Sequence, residues 1–119
     1  MQVIKGDQTV FFDVDDTLVM WNKIGEDTKL PFDNYGSIEM LTPHQVHIDE
    51  LKAHKQMGKT IVVWSQGGWE WCKSVVETLE LEEFVDVCMN KPDIYYDDLA
   101  PVWWMQESRN DYKEFKDVD

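Results

Sequence analysis

No apolar run in this sequence approaches the roughly 18–20 residues needed to cross a bilayer. The amino terminus also lacks the charged-then-apolar pattern of a secretory leader. The chain therefore reads as soluble and cytoplasmic, without a membrane partner. Basic residues are scarce: 11 Lys and Arg stand against 24 Asp and Glu, a net charge of −13. Nucleic-acid binding draws on Lys and Arg to displace counterions from phosphates, so the charge argues against general binding of this kind and leaves open a local basic pocket for one phosphate. Cysteine is limited to Cys72 and Cys88, both in apolar contexts and without CxxC spacing. That argues for reduced core thiols over a disulfide or a zinc pair. Internal repeats and low-complexity segments are absent as well.

What the chain does have is enough apolar material for one core. At 119 residues, 43% hydrophobic and 13% aromatic, it reads as a single globular domain, residues 1–119. The stretch that organises it runs from Thr9 to Leu18, where Thr9-Val10-Phe11-Phe12 leads straight into Asp13, Asp15 and Asp16. An apolar run ending in acids predicts a buried strand whose carboxyl end delivers side chains to a site. Carboxylates this close repel one another unless a cation or a shared proton compensates, and oxygen ligands of this kind suit Mg²⁺. Acids after a strand also serve as turn residues and helix caps. A calcium loop of the EF-hand type is excluded, because Leu18 and Ile24 stand where it needs Gly and Glu.

Residues 1–8 read as a lead-in. From Val19 to Leu41, Gly25, Pro31, Asn34 and Gly36 interrupt any periodicity, predicting a hairpin or irregular flap beside the acids. Trp21, Phe32 and Tyr35 are expected to pack this flap onto the body, with ligand contact as the lesser alternative. A helix is predicted from Thr42 as N-cap and Pro43 at its first position, with Gln45 completing a capping box and Gly58 as its stop. His44, His47 and His54 fall on it without metal-ligand spacing and are expected at or near the surface.

A second apolar run, Thr60-Ile61-Val62-Val63-Trp64, ends at Ser65-Gln66-Gly67-Gly68 and precedes a helix carrying Trp69, Cys72, Val76 and Leu79. Strand, small polar turn and helix can present N–H groups and a hydroxyl to an anion; the plain alternative is an ordinary turn rich in glycine. A third run, Phe84 to Met89, leads to Asn90-Lys91-Pro92. Ile94-Tyr95-Tyr96 reads as a fourth strand ending at Asp97-Asp98. Val102 to Met105 reads as an edge strand or helix start, and residues 111–119 as a frayed, solvated end. Strands alternating with helices, their polar residues at the carboxyl ends, predict an α/β fold: a three-layer, doubly wound (Rossmann-like), mainly parallel sheet.

Asp13-Val14-Asp15-Asp16-Thr17-Leu18, then Ser65, Lys91 and Asp97-Asp98, each near a strand end and in this order, resemble the four motifs of the haloacid dehalogenase-like (HAD) superfamily over residues 9–98. The resemblance implies a Mg²⁺-dependent phosphomonoester hydrolase that acts through an aspartyl-phosphate. Asp13 would be the nucleophile and Asp15 the general acid and base. The superfamily's ATPases carry Thr at the latter position, so Asp15 favours a phosphatase. Ser65, with the backbone around Gln66 and Gly67, would grip phosphate, and Lys91 would offset its charge. Asp13, the Asp15 carbonyl, Asp97 and Asp98 would hold the metal. Response-regulator receivers use similar residue types but place the Lys last, which excludes them.

Two departures stand out. Lys91 lies only six residues before Asp97, leaving no room for the usual intervening helix, and neither insertion point holds a cap domain. The expected substrate is a small phosphorylated molecule, a nucleotide or a sugar phosphate. An alternative is a 3′- or 5′-end phosphatase of nucleic acid, if Lys23, Lys29 and Lys91 form a local track. Another is a non-catalytic protein that keeps the fold and metal site and works through partners. The aromatic flap and Trp103-Trp104 offer a surface for such a partner or for a homo-oligomer.

Overall fold

β-Branched residues dominate Thr60-Ile61-Val62-Val63, and the strand they form, Thr60–Ser65, is buried along almost its whole length. Such a run suits the middle of a parallel sheet, where both faces and both edges are covered. In the computed structural model, which describes residues 1–21 and 28–109, it is the central strand of three. We number the strands β1 (Thr9–Asp13), β2 (Val19–Met20), β3 (Leu30–Asn34), β4 (Ser37–Pro43), β5 (Thr60–Ser65) and β6 (Val87–Asn90), and the helices α1 (Gln45–Gln56) and α2 (Trp69–Thr78). The parallel order is β1-β5-β6, and a second, antiparallel sheet has the order β2-β4-β3.

The register of the parallel sheet aligns its carboxyl ends. Asp13 pairs with Trp64, and Ser65 pairs with Asn90, so the acids, the serine and Lys91 finish at one edge. Both crossovers step the same way along the sheet, and right-handed connections then put α1 and α2 on one face. The core agrees. Ile48 and Leu51 of α1 and Trp71, Cys72, Val75 and Val76 of α2 belong to one cluster with Phe12, Val14, Ile61 and Val63. On the other face Phe11, 37% exposed, lies against Trp64 with ring centroids 4.4 Å apart. The described residues thus form an α/β protein with one helical layer on a parallel sheet. None of their helices is long and apolar enough to cross a membrane.

The flap is a hairpin. Asn34 pairs with Ser37 across Tyr35 and Gly36, whose φ angles of 56° and 86° make a two-residue turn of the primed type. Phe32 is fully buried with its ring edge-on to Trp71, and the Ser74 hydroxyl donates to the Asp33 carbonyl at 2.7 Å, so the hairpin is fastened to α2.

Several expectations are corrected. The α1 cap is His44, whose Nδ1 accepts the His47 N–H at 3.3 Å. Thr42 and Pro43 instead pair with Met20 and Val19 in β4, because Pro43 holds the residue before it extended and ladder pairing outweighs the capping box. His44 and His47 are buried, stacked at 3.9 Å, and only His54 is half-buried. The α2 core face uses Trp71 and leaves Trp69 exposed. Ile94-Tyr95-Tyr96 forms no strand; Ile94 is 78% and Tyr96 97% exposed, and β-forming residues without a neighbour to pair with gain little from extension. Pro101–Trp103 is a single 3₁₀ turn. The predicted frayed end, 111–119, and residues 22–27 of the flap, including Lys23, lie outside the described residues. Cys72 and Cys88 are free thiols, and burial pushes Cys72 up to about 12.

Candidate active site at the carboxyl ends of the parallel strands

Asp13 ends β1, and the next six residues fold back tightly. The Val14 carbonyl accepts N–H bonds from Thr17, Leu18 and Val19 at 3.2, 2.9 and 3.2 Å, while Asp16 sits in the left-handed region at φ 59° and donates its N–H to the Val19 carbonyl at 2.7 Å. This turn keeps Asp13, Asp15 and Asp16 together at the sheet's edge. The buried histidines support it from behind: the His44 N–H donates to the Leu18 carbonyl at 2.9 Å and His47 Nδ1–H to the Thr17 carbonyl at 2.8 Å. Burial, and then the adjoining His47, pushes His44 down to about 4, so its ring stays neutral and keeps the lone pair that caps α1.

Asp13 is half-buried, and that burial raises its carboxyl above the ordinary carboxylate value. Lys91 opposes the rise by its charge, as does a hydrogen bond from the Val14 N–H, while Asp15 and Asp16 add to it. Lys91 is anchored by its own N–H on the Ser65 carbonyl at 2.9 Å, and its ammonium lies 5.9 Å from the Trp64 ring centre.

Among the described acids Asp15 has the most side-chain donors. Its Oδ1 accepts the indole N–H of Trp21 at 2.8 Å and that of Trp71 at 3.1 Å, and its Oδ2 accepts the Ser65 hydroxyl at 3.3 Å. Ser65 is fully buried, and its Oγ accepts the Gly67 N–H at 2.9 Å. A Cβ on Gly67 would sit 3.1 Å from the Trp71 ring and 3.2 Å from Ser65 Oγ, so a larger residue there would press on both groups that hold Asp15. The Gly67 N–H is thus directed at Ser65 in this arrangement, and Gln66 is exposed.

A cleft of about 370 Å³ opens beside the acids, and Ser65, Gln66 and Gly67 do not line it. Asp13, Asp15, Asp16 and Lys91 line it, and residues 105–109, with the chain's one arginine, Arg109, form its far side. A larger cavity of about 630 Å³ beside β1 and α1 contains neither Asp13 nor Lys91; its size does not connect it with the acids.

The structure therefore brings together Asp13, Asp15, Ser65 and Lys91, with Gln66 and Gly67 adjoining. It does not bring Asp97 and Asp98 to them. Both are exposed and neither lines the cleft; the Leu99 N–H donates to Asp97 at 3.0 Å and, with Asp98, holds it below the usual carboxylate value. Among the described residues no group of three or more His, Cys, Asp and Glu is arranged to hold a metal ion. Reading the sequence missed the indole bonds of Trp21 and Trp71 to Asp15 and the place of Arg109 on the cleft. The usable signal was that an indole drawn inward needs an acceptor for its N–H, and Asp15 and Asp16 lie within six residues of Trp21, as Glu26 and Asp27 do on its other side. No family model, curated protein or solved structure matches the chain.

Proposed function

We propose that the chain is a capless, HAD-like phosphomonoester hydrolase that uses Mg²⁺ and an aspartyl-phosphate intermediate. One observation carries the reading. In a chain of net charge −13, a half-buried carboxylate, a second carboxylate held by three donors, a buried hydroxyl and a lysine converge at the carboxyl ends of three adjoining parallel strands. That is where open α/β sheets bind their ligands.

The chemistry follows from those groups. An Asp13 carboxylate oxygen attacks phosphorus, and the bond from phosphorus to the leaving oxygen breaks as Asp15 gives that oxygen a proton. Water then attacks the aspartyl-phosphate, Asp15 takes the water's proton, and inorganic phosphate leaves with Asp13 restored. Lys91 offsets the charge that Asp13 and the phosphate bring together. The donor chemistry is compatible with Mg²⁺, which keeps several waters and needs only one or two carboxylates beside a substrate phosphate. Asp13 and the Asp15 carbonyl would hold it, and it would supply positive charge to the phosphoryl oxygens. The resemblance adds Asp97 and Asp98; for either to contribute, residues 94–98 would have to come alongside β1, whose outer edge has no strand partner among the described residues. A HAD-like fold and a cytoplasmic setting are parts of the same proposal; its three-layer, doubly wound form would need a helix on the Phe11–Trp64 face, opposite the one that α1 and α2 cover.

A panel of nucleotides, sugar phosphates and 3′-phosphorylated oligonucleotides, assayed for phosphate release with and without Mg²⁺, tests it. Metal-dependent release from one class supports the reading and names the substrate. A second reading rests on the exposed aromatics Tyr96, Trp103 and Trp104, a surface suited to a partner or a second copy. Silence across the panel, with self-association by light scattering, would favour it.

A further inference from the structure

We propose that Trp21 and Trp71 are positioning residues that aim Asp15 at the leaving-group oxygen, so that its Oδ2 carries the exchanged proton; the inference rests on the acid–base role given to Asp15 above. Each carboxylate oxygen has about two lone-pair sites. Oδ1 receives two indole N–H bonds, at 2.8 and 3.1 Å, and is filled. Oδ2 receives only the longer Ser65 bond at 3.3 Å and keeps a site for a proton.

The two indoles reach Asp15 from different elements, Trp71 from α2 and Trp21 from the residue just after β2. Their environments separate a packing role from a directing one. Trp71 is 3% exposed, and a buried indole must find an acceptor somewhere. Trp21 is 37% exposed and has water at hand, yet it makes the shorter bond inward. The rings are 6.4 Å apart and inclined at 50°, so two rigid donors converge on one oxygen from separate directions. That fixes the rotation of the carboxylate as a single donor would not, and proton transfer to a leaving group depends on such alignment.

The test uses Trp21→Phe and Trp71→Phe, which keep an aromatic ring and remove the N–H, with two substrates of unlike leaving groups. Nitrophenyl phosphate releases a stable anion and needs little acid help; glycerol 2-phosphate releases an alkoxide and needs much. Trp21→Phe is expected to lower kcat for glycerol 2-phosphate by about 10-fold, part of the ~10²–10⁴ that a positioned acid supplies, with KM nearly unchanged and less than about threefold loss on nitrophenyl phosphate. An equal loss on both substrates, or none, overturns the proposal while leaving the hydrolase reading intact. If the wild type hydrolyses neither, the pair is replaced by a good- and a poor-leaving-group ester of the class that the panel identifies, and silence across the whole panel overturns both readings. The contact itself has a readout apart from turnover: in ¹H–¹⁵N spectra, Asp15→Ala should shift two of the six indole N–H signals, those lost in the two Phe variants. Unshifted signals would overturn the inference whatever the kinetics. Should Trp71→Phe fail to fold, Trp21→Phe, at the partly exposed position, decides alone.

Discussion

Asp13 and Asp15 at one end of the chain, and Asp97 and Asp98 near the other, are both carboxylate pairs that follow a β-forming run. Their surroundings differ in kind. The first pair lies on the edge of a packed sheet, where burial raises Asp13 and three donors hold Asp15. The second is exposed, and its hydrogen bonds come from its own neighbours, with the Leu99 N–H and Asp98 drawing Asp97 below the usual value. Asp13 and Asp97 are driven in opposite directions: enclosure makes the charged form of Asp13 costly, whereas a local N–H and Asp98 favour that of Asp97. A carboxylate becomes a chemical group through what surrounds it.

The largest way to break this contrast is Asp13→Asn. Removing the proposed nucleophile should cost ~10⁴-fold or more in kcat, as loss of a covalent nucleophile does elsewhere. Steady-state phosphate release measures it, and a variant that kept full turnover would remove the mechanism. Asp15→Asn should follow, losing on the order of 10²–10⁴ in kcat, most for substrates with poor leaving groups. If nitrophenyl phosphate and an alkyl phosphate suffered alike, Asp15 would not be the acid.

Asp97→Asn sharpens the comparison from the other side. If Asp97 joins the first pair when Mg²⁺ is present, the Mg²⁺ concentration giving half-maximal turnover should rise about 10–100-fold, the scale at which lost supporting contacts weaken a metal site. Titrating Mg²⁺ after EDTA treatment reads this directly. An unchanged requirement would mean that the exposed pair stays apart from the site.

How much of this was legible beforehand depends on the kind of interaction. β5 and the glycine stop of α1 were readable because burial of a β-branched run and a left-handed glycine are local signals, whereas β1, read as a buried strand, is among the described residues an edge strand of which only Phe12 is buried. Asp13, Asp15, Ser65 and Lys91 were readable because parallel strands carry their carboxyl ends to one edge. The α1 start was misread because Thr42 and Pro43 answer to strand partners more than twenty residues away. The indoles of Trp21 and Trp71 were invisible as donors, since the direction of an N–H is set only when the hairpin, α2 and the acidic turn meet. Ile94 to Tyr96 had strand propensity without a neighbour, and propensity alone did not make a strand.

A third carboxylate calibrates the other two, because its role is structural. Burial pushes Asp86 up, but the Ile61 N–H on its Oδ2 at 2.7 Å and the Lys55 ammonium on its Oδ1 at 2.8 Å outweigh that and hold it below the ordinary value. It thereby ties α1 to β5 just ahead of β6. Asp86→Ala leaves the Ile61 N–H without its acceptor and should destabilise the fold by about 1–3 kcal/mol in urea unfolding, with little change in kcat for the molecules still folded. The sign of its pH dependence follows from the lowered folded value. The stabilisation is present above the unfolded value of about 3.9 and is lost as pH falls through the lower folded one. Wild type and Asp86→Ala should therefore differ in stability at pH 7 and converge on acidification below pH ~4. Curves that stayed parallel to acid would mean that the charge of Asp86 contributes nothing to stability.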